Sequence, residues 1–236
     1  LSATTKEQGY TVVKFSSAPI AKQSQDRTVS VTCGDNEYVS SMVSNEIKSN
    51  AYVNVNVSAF EELEYIPFAD LNFKREMVRL YDKNGDGEIS TLEANKVAEI
   101  NLYLTQGIKS LNGIQYFKNL TALSCNVCQL TSLDVSNNTK LTRLDCYDNK
   151  LTSLDLSKNT ALTSLEVGYN KLTSLDVSKN TALTYLDCYS NQLTNLDLSK
   201  NTALTELYCK DNQLTRLDVS KNTALTRLDV SNNQLN

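Results

Sequence analysis

The spacing of leucines predicts a stack of short strands over the second half of the chain. Residues 120–236 repeat every 21 residues, and the copies begin at Leu120, Leu141, Leu162, Leu183, Leu204 and, for a sixth copy that stops early, Leu225. The fourth copy reads LTYLDCYSNQLTNLDLSKNTA. Alternating apolar positions in its first half predict a short strand, and the second half is expected to return the chain. Residues 97–119 show similar spacing and are interpreted as a first, slightly longer repeat.

The repeat skeleton, L-x-x-L-x-C-x-x-N-x-L, matches the leucine-rich repeat pattern. One repeat cannot bury its own leucines, so neighbouring copies must stack and pair their strands in parallel. Two columns of asparagine are expected to bond backbone groups inside the stack, one following the strands (Asn149, Asn170, Asn191, Asn212, Asn233) and one in the return turns (Asn138, Asn159, Asn180, Asn201, Asn222). The predicted fold class is an α/β-type leucine-rich repeat solenoid with a parallel β-sheet on its concave face.

A third column consists of cysteines at the sixth repeat position: Cys125, Cys146, Cys188 and Cys209. Valine occupies this position in other copies, which is typical of a small apolar core site, so buried and reduced thiols are expected. Neighbouring strands hold side chains in register too far apart for disulfides. Cys125 and Cys128 also form a C-x-x-C pair, which can indicate a redox or zinc site. With no second pair and no histidine, we favour Cys128 as a substitute for a core asparagine.

Residues 82–93, DKNGDGEISTLE, match the calcium loop of an EF-hand, with glycine at its sixth position. Calcium is therefore the expected cofactor, and the predicted ligands are Asp82, Asn84, Asp86, the backbone carbonyl of Glu88, Ser90 through water, and Glu93 with two oxygens. Apolar spacing predicts a helix before the loop, and Thr91 is suited to begin a short helix after it. Because a single loop leads directly into the first repeat, we expect a helical cap that covers the end of the solenoid. The alternative is a polar turn that binds no metal.

The first 66 residues lack the repeat. Strict alternation in RTVSVTC and AYVNVNV predicts two strands, and the spacing of Val39, Met42, Val43 and Ile47 predicts a helix between them. A small α+β unit, a fragment of a larger unit and a partly ordered tail are all compatible with this pattern. The predicted division is residues 1–66 of uncertain fold, a cap over 67–96 and a solenoid over 97–236.

Residues 97–236 resemble the repeat domain of the internalins, bacterial cell-surface leucine-rich repeat proteins, in the 21-residue repeat and in the cysteine within the strand. Internalin repeats begin with a helical cap similar to a reduced EF-hand, so the resemblance extends to the cap. It implies an exported or cell-surface protein that binds a protein or a glycan.

The positions expected to face outward from the strands vary between copies, while the return half, LDVSKNTA, is nearly constant. Variation on one face over a constant scaffold is typical of a recognition surface, and tyrosine is enriched at binding hot spots. The predicted ligand-binding residues are Arg143, Asp145, Tyr147, Glu166, Tyr169, Tyr185, Asp187, Tyr189, Glu206, Tyr208 and Arg227. Drift on a solvated face after duplication is the alternative. Since LTSLDVSKN resembles the strand half, the two faces could also be exchanged.

Composition narrows the function classes. The chain has 23 Lys plus Arg against 27 Asp plus Glu, and this net charge of -4 argues against a nucleic-acid partner. The chain contains no run of 18 consecutive apolar residues, so no transmembrane segment is predicted. The chain has no histidine, which is the commonest general base, and no nucleophile-elbow motif, so we expect no enzymatic activity. The chain starts at Leu1 rather than at methionine, so a cleaved or trimmed leader is expected. Two other readings stay open: a catalytic part within residues 1–66 or outside this chain, and a rigid surface spacer.

Overall fold

The computed structural model describes residues 64–236 with their side chains, apart from residues 104 and 106, and the backbone of five strands before residue 64. The chain forms two compact units, Leu1–Glu64 and Tyr65–Asn236. In the second unit a helical cap and the repeats lie together.

The described part of the first unit consists of strands β1 (Ser2–Glu7), β2 (Tyr10–Lys14), β3 (Arg27–Cys33), β4 (Asn36–Met42) and β5 (Val53–Asn56). β1, β2 and β5 form one antiparallel sheet, and β3 pairs with β4 in another. The strands expected in RTVSVTC and AYVNVNV are confirmed.

The helix expected over Val39 to Ile47 is wrong where the structure describes it, because Val39 and Met42 lie in β4. β4 pairs with β3 along its whole length, and such pairing overrides a helix-like spacing of apolar residues. Val43 and Ile47 lie outside the described residues.

The cap begins with helix α1 (Leu71–Tyr81), whose start is fixed by Asp70. The Asp70 carboxylate accepts hydrogen bonds from the backbone N–H groups of Asn72 and Phe73, which an N-cap residue does for an otherwise unpaired helix end. Phe73 and Met77 bury the inner face of the helix, as their spacing predicted. The single-turn helix α2 (Thr91–Ala94) follows the loop and starts with a capping box between Ser90 and Glu93.

Two sets of hydrogen bonds from backbone N–H groups hold the cap together and attach it to the first repeat. The Ile66 N–H donates to the carbonyl of Ile89 at 2.8 Å, inside the loop that precedes α2. The second oxygen of Asp70 accepts the N–H groups of Lys109 at 2.7 Å and Ser110 at 3.2 Å, which belong to the first repeat. Burial raises the pKa of Asp70, but these backbone hydrogen bonds outweigh it and lower the pKa below its usual value. The charged carboxylate therefore joins α1 to the solenoid.

The repeats form a seven-stranded parallel sheet with its strands in sequence order. A 3-10 helix over Ile114–Tyr116 lies in the first return segment. The strands are β6 (Glu99–Asn101), β7 (Ala122–Ser124), β8 (Arg143–Asp145), β9 (Ser164–Glu166), β10 (Tyr185–Asp187), β11 (Glu206–Tyr208) and β12 (Arg227–Asp229). All of them fall in the first half of their repeats, so the predicted assignment of the strand half is confirmed.

The central residues of β6–β11 point into a core that continues from Ile66 in the cap to Leu214 in the fifth copy, whereas Leu228 in β12 is 47% exposed. Asparagines following the strands bond the backbone as expected. Asn170 donates to the carbonyls of Cys146 at 3.0 Å and Val167 at 3.1 Å and accepts the N–H of Leu151 at 3.0 Å. In the return turns, Asn159 donates to the carbonyls of Val135 and Asn138. Each column thus links a repeat to the one before it.

The cysteine column is buried and its thiols are free, as predicted. Burial raises the pKa of Cys209 to about 12 and those of Cys125, Cys146 and Cys188 above their ordinary value as well. The sulfur of Cys128 lies 3.8 Å from the Leu102 carbonyl and 3.4 Å from that of Asn126, in the place of a core asparagine.

Candidate functional site

We call the outward surface of β8–β12, with the two residues that follow the buried position after each strand, the strand face. Parallel pairing in register repeats the same positions every 21 residues, so all the predicted ligand-binding residues lie together on this face. All of them are at least partly exposed except Asp145, which is buried. One column runs Arg143, Ser164, Tyr185, Glu206, Arg227, and the next runs Asp145, Glu166, Asp187, Tyr208, Asp229.

Three tyrosines form a cluster at the ends of β8, β9 and β10. The ring of Tyr169 packs edge-on against those of Tyr147, with centroids 5.3 Å apart, and Tyr189, at 4.7 Å. The hydroxyl groups of Tyr147 and Tyr189 lie 2.9 Å apart. Edge-on aromatic pairs with such distances are stabilising, so the cluster is a preorganised surface rather than three independent side chains.

Gly168 makes this cluster possible and was missed by the sequence reasoning. In the copies before and after it, the same repeat position is occupied by Tyr147 and Tyr189. A Cβ atom at Gly168 would lie 2.8 Å from Cδ1 of Tyr189, which is closer than real Cβ contacts. The missing side chain leaves the space that the Tyr189 ring fills. A glycine between two tyrosines at a variable repeat position was the available signal.

Tyr169 has an unusual backbone conformation for its size. The corresponding residue of the other copies also has positive φ, but several of these are aspartate, asparagine or serine, for example Asp148 at 51° and Asn232 at 56°. Short polar side chains tolerate this region, whereas a bulky residue is uncommon there. Tyr169, at φ 50°, is 47% exposed, so the core does not require its ring.

Carboxylates lie side by side on the three central strands. Asp145 is buried, and its side chain accepts hydrogen bonds from Nδ2 of Asn126 at 2.7 Å and the N–H of Tyr147 at 3.3 Å. Glu166 pairs with Arg143 at 3.2 Å, through an arginine that is mostly exposed. Exposed pairs of this kind contribute little to stability. At the far end Arg227 pairs with Glu206, also at 3.2 Å.

Asp187 is the central carboxylate and the most perturbed one. Burial raises its pKa to about 6, the nearby charges of Glu166 and Asp145 add to this, and a hydrogen bond from the N–H of Tyr189 opposes it. Burial and the Asp145 charge also raise the pKa of Glu166, against the effect of Arg143. On these three strands, the carboxylates of Asp145, Glu166 and Asp187 therefore outnumber their one ion-pair partner among the described residues, Arg143.

The predicted calcium loop folds on its own polar side chains. Asp82 accepts the N–H groups of Gly85 at 2.6 Å and Gly87 at 3.0 Å, and the φ of 83° at Gly87 explains why glycine is needed there. Glu93 accepts the N–H of Lys83 at 2.9 Å and both donors of Ser90 at 2.9 Å.

The remaining loop ligands are also tied to neighbours. Asp86 accepts the N–H of Glu88 at 2.8 Å, the phenol of Tyr65 at 2.9 Å and Nδ2 of Asn84 at 2.8 Å. The Glu88 side chain pairs with Lys74. The oxygen donors of the loop suit a hard cation such as calcium. Within the part of the chain that the structure describes, no three acidic or cysteine side chains are gathered closely enough to hold a metal.

Comparisons with known proteins concern the repeats. No family model matches the chain, and no curated protein matches it. Among solved structures, a leucine-rich repeat protein of Leptospira interrogans is 28% identical over 55% of this chain and 36% of its own, with a TM-score of 0.52. Internalin C2 of Listeria monocytogenes is 22% identical over 72% of this chain and 87% of its own, with a TM-score of 0.56. The fold is a leucine-rich repeat solenoid.

The expected resemblance to internalin-type leucine-rich repeat proteins is confirmed among these structures. The functional domain of InlJ from Listeria monocytogenes, which includes a cysteine ladder, is 32% identical over 71% of this chain, with a TM-score of 0.47. This chain covers only 47% of the length of that domain. Among the described residues of this chain, no helix is long and apolar enough to cross a membrane.

Proposed function

We propose that this protein is an exported or cell-surface binding protein that presents its strand face to a protein ligand and catalyses no reaction. The cluster of Tyr147, Tyr169 and Tyr189 carries the proposal. Its rings are half-buried or exposed, held rigidly against each other, and lie beside the charged residues of β8–β10. Rigid tyrosines lose little conformational entropy on binding and are enriched at the centre of protein interfaces.

The opposite face supports this choice by contrast. On the return half, Ser153 and Ser174 are exposed small residues, and the same sequence recurs with little change in each copy. The shallow depressions there are lined by serine, threonine, aspartate, asparagine and leucine, without the aromatic anchors that dominate binding energy. A glycan ligand is the alternative for the strand face, and a rigid spacer is the alternative without a ligand.

We further propose a structural calcium ion in the cap, with Asp82, Asn84, Asp86, the Glu88 carbonyl, Ser90 and Glu93 as its ligands. The residue types and spacing of the loop support it. The contact between Ile66 and Ile89 supports a structural role, because the loop is held to a neighbouring segment of its own chain. Calcium would neutralise the carboxylates of Asp82, Asp86 and Glu93 between the two cap helices. A weak extracellular calcium site is sufficient for this structural role.

A binding screen on arrayed proteins and glycans tests the proposed function. Tyr147→Ala combined with Tyr189→Ala removes the cluster, and Ser153→Ala combined with Ser174→Ala is the matched change on the return half. We expect protein hits that the tyrosine pair abolishes and the serine pair leaves intact. Hits confined to glycans would replace the ligand class, and a screen without hits would favour the spacer.

A further inference from the structure

The surroundings of Asp187 define a slot on the strand face. Tyr185 and Tyr189 flank it along its own strand, and Glu166 and Tyr208 flank it on the neighbouring strands β9 and β11. We call these five residues the Asp187 slot. All are half-buried, so the slot is open to a ligand but partly shielded from water.

The tyrosines make walls of defined geometry. On one side the rings of Tyr185 and Tyr208 lie 5.8 Å apart at an angle of 46°. On the other side Tyr189 is fixed by its contacts with Tyr147 and Tyr169. The hydroxyl of Tyr208 donates to Glu206 at 3.0 Å, which holds that ring in place. Aromatic faces attract cations, and they do so most strongly where water is excluded.

The floor of the slot carries two carboxylates, and among the described residues only Glu166 has a cation paired with it. The hydrogen bond that the structure shows for the Asp187 carboxylate comes from the N–H of Tyr189 at 3.1 Å. Among the described residues, the row of Asp145, Glu166 and Asp187 has one paired cation, Arg143, which contacts Glu166. Asp145, on the strand beyond Glu166, adds a further carboxylate. Burial without a cationic partner raises the pKa of Asp187 to about 6, as expected for a group that a ligand would complete.

We propose that the Asp187 slot receives a lysine or arginine side chain of the protein ligand, with its cationic group on the Asp187 and Glu166 carboxylates and its stem between the tyrosine rings. The proposal rests on the proposed function and names the chemistry of the partner. A guanidinium combines charge-assisted hydrogen bonds to carboxylates with stacking on aromatic rings, so arginine fits best. A partner with a basic segment is therefore the expected ligand class.

A displayed library of random peptides tests this inference. Wild-type protein should select peptides enriched in arginine and lysine, and Asp187→Asn should remove the enrichment. The matched control is Asp197→Asn on the return half, where the side chain accepts the N–H of Ser199, a bond that asparagine can also accept. This control should select the same basic peptides as the wild type.

One selected peptide is then synthesised with arginine and with citrulline, its neutral analogue. We expect citrulline to weaken binding at least tenfold for wild type and less than twofold for Asp187→Asn, which is a direct measure of coupling. Affinity for the arginine peptide should also fall from pH 7.5 to pH 5, because Asp187 gains a proton near pH 6.

Thermal melting separates binding from folding. The pKa of Asp187 is higher in the folded state than its ordinary value of 3.8, so its charge destabilises the fold at pH values above about 6. Asp187→Asn should therefore melt at the same or a higher temperature than wild type at pH 7.5, and the difference should vanish below pH 4. Weaker binding by this variant is then not a consequence of unfolding.

Peptides that need Tyr147 and Tyr189 but carry no basic residue would overturn the inference and leave the proposed function standing. Equal effects of citrulline on both proteins would do the same. Binding that ignores the tyrosine pair would remove the proposed function and the slot together, and a library without binders would also overturn the inference.

Discussion

The hydroxyl groups of Tyr147 and Tyr189 lie 2.9 Å apart although the residues are 42 positions apart in sequence and one repeat lies between them. They meet above Gly168, whose missing side chain leaves room for the Tyr189 ring. The shape of the strand face therefore depends on one glycine as much as on the tyrosines.

Gly168→Ala should separate this pair. The added methyl would lie 2.8 Å from the Tyr189 ring, so the ring must move away. Because an aromatic side chain can rotate and alanine lowers the entropy of the unfolded chain, the free energy of unfolding should change by less than about 1 kcal/mol. Ring-proton cross-peaks between Tyr147 and Tyr189 should disappear from NMR spectra, while Ser164→Ala should retain them. Unchanged cross-peaks in the alanine variant would contradict the role of Gly168.

Calcium should raise the melting temperature of chelator-treated protein. An ion that binds only the folded state stabilises it by mass action, by about 2.7 kcal/mol when its concentration is 100 times Kd. Glu93→Gln should remove most of the rise, because an amide cannot supply two anionic oxygens, although glutamine can still complete the capping box. Glu99→Gln, an exposed change in β6, is the control. A melting curve that calcium leaves unchanged would exclude the structural ion.

Asn170→Ala should be strongly destabilising. The change leaves the Leu151 N–H without its partner inside the core, and the Cys146 carbonyl keeps only its second donor, Asn149. An unpaired buried N–H costs about 1–3 kcal/mol, so we expect the free energy of unfolding to fall by about 2 kcal/mol in urea titrations. Asn195→Ala, on the exposed return half, should stay within about 0.5 kcal/mol of wild type. Similar losses from both variants would mean that the core hydrogen bonds contribute nothing specific.

The thiols of Cys146, Cys188 and Cys209 should resist modification in the native protein. They are fully buried, and burial raises the pKa of Cys209 to about 12, so the reactive thiolate is scarce at pH 8. A maleimide or disulfide reagent should label them only after denaturation, as followed by mass spectrometry of the digested protein. Fast labelling before denaturation would show that the column opens in solution.

The solenoid could be predicted from the sequence because its contacts repeat. A 21-residue period fixes strand pairing, the inward leucines, the asparagine columns and the thiol column at once. Every copy supplies the same information, so the pattern is redundant. The strand RTVSVTC was predictable in a similar way, from strict alternation.

The features that could not be predicted depend on exceptions to the repeat. Val39 and Met42 have helical spacing, yet pairing with β3 places them in a strand. The joining of Ile66 to Ile89 depends on a contact between segments 23 positions apart, with no pattern in either one. The neighbours of Asp187 on the adjacent strands follow from the 21-residue period, but the packing of the tyrosine rings around it depends on side-chain conformations that the period does not fix.

The hydrogen bonds between repeats determine which insertions and deletions in the sequence the fold can accept. Thr163, Thr184 and Thr205 each donate to the carbonyl 21 positions earlier, and the return-turn asparagines do so at 21 and 24 positions. Removing or adding any whole number of copies restores all of these partners, whereas a change that is not a multiple of 21 residues breaks them. Duplication and loss of single units can therefore lengthen or shorten the binding surface while the rest of the molecule stays the same.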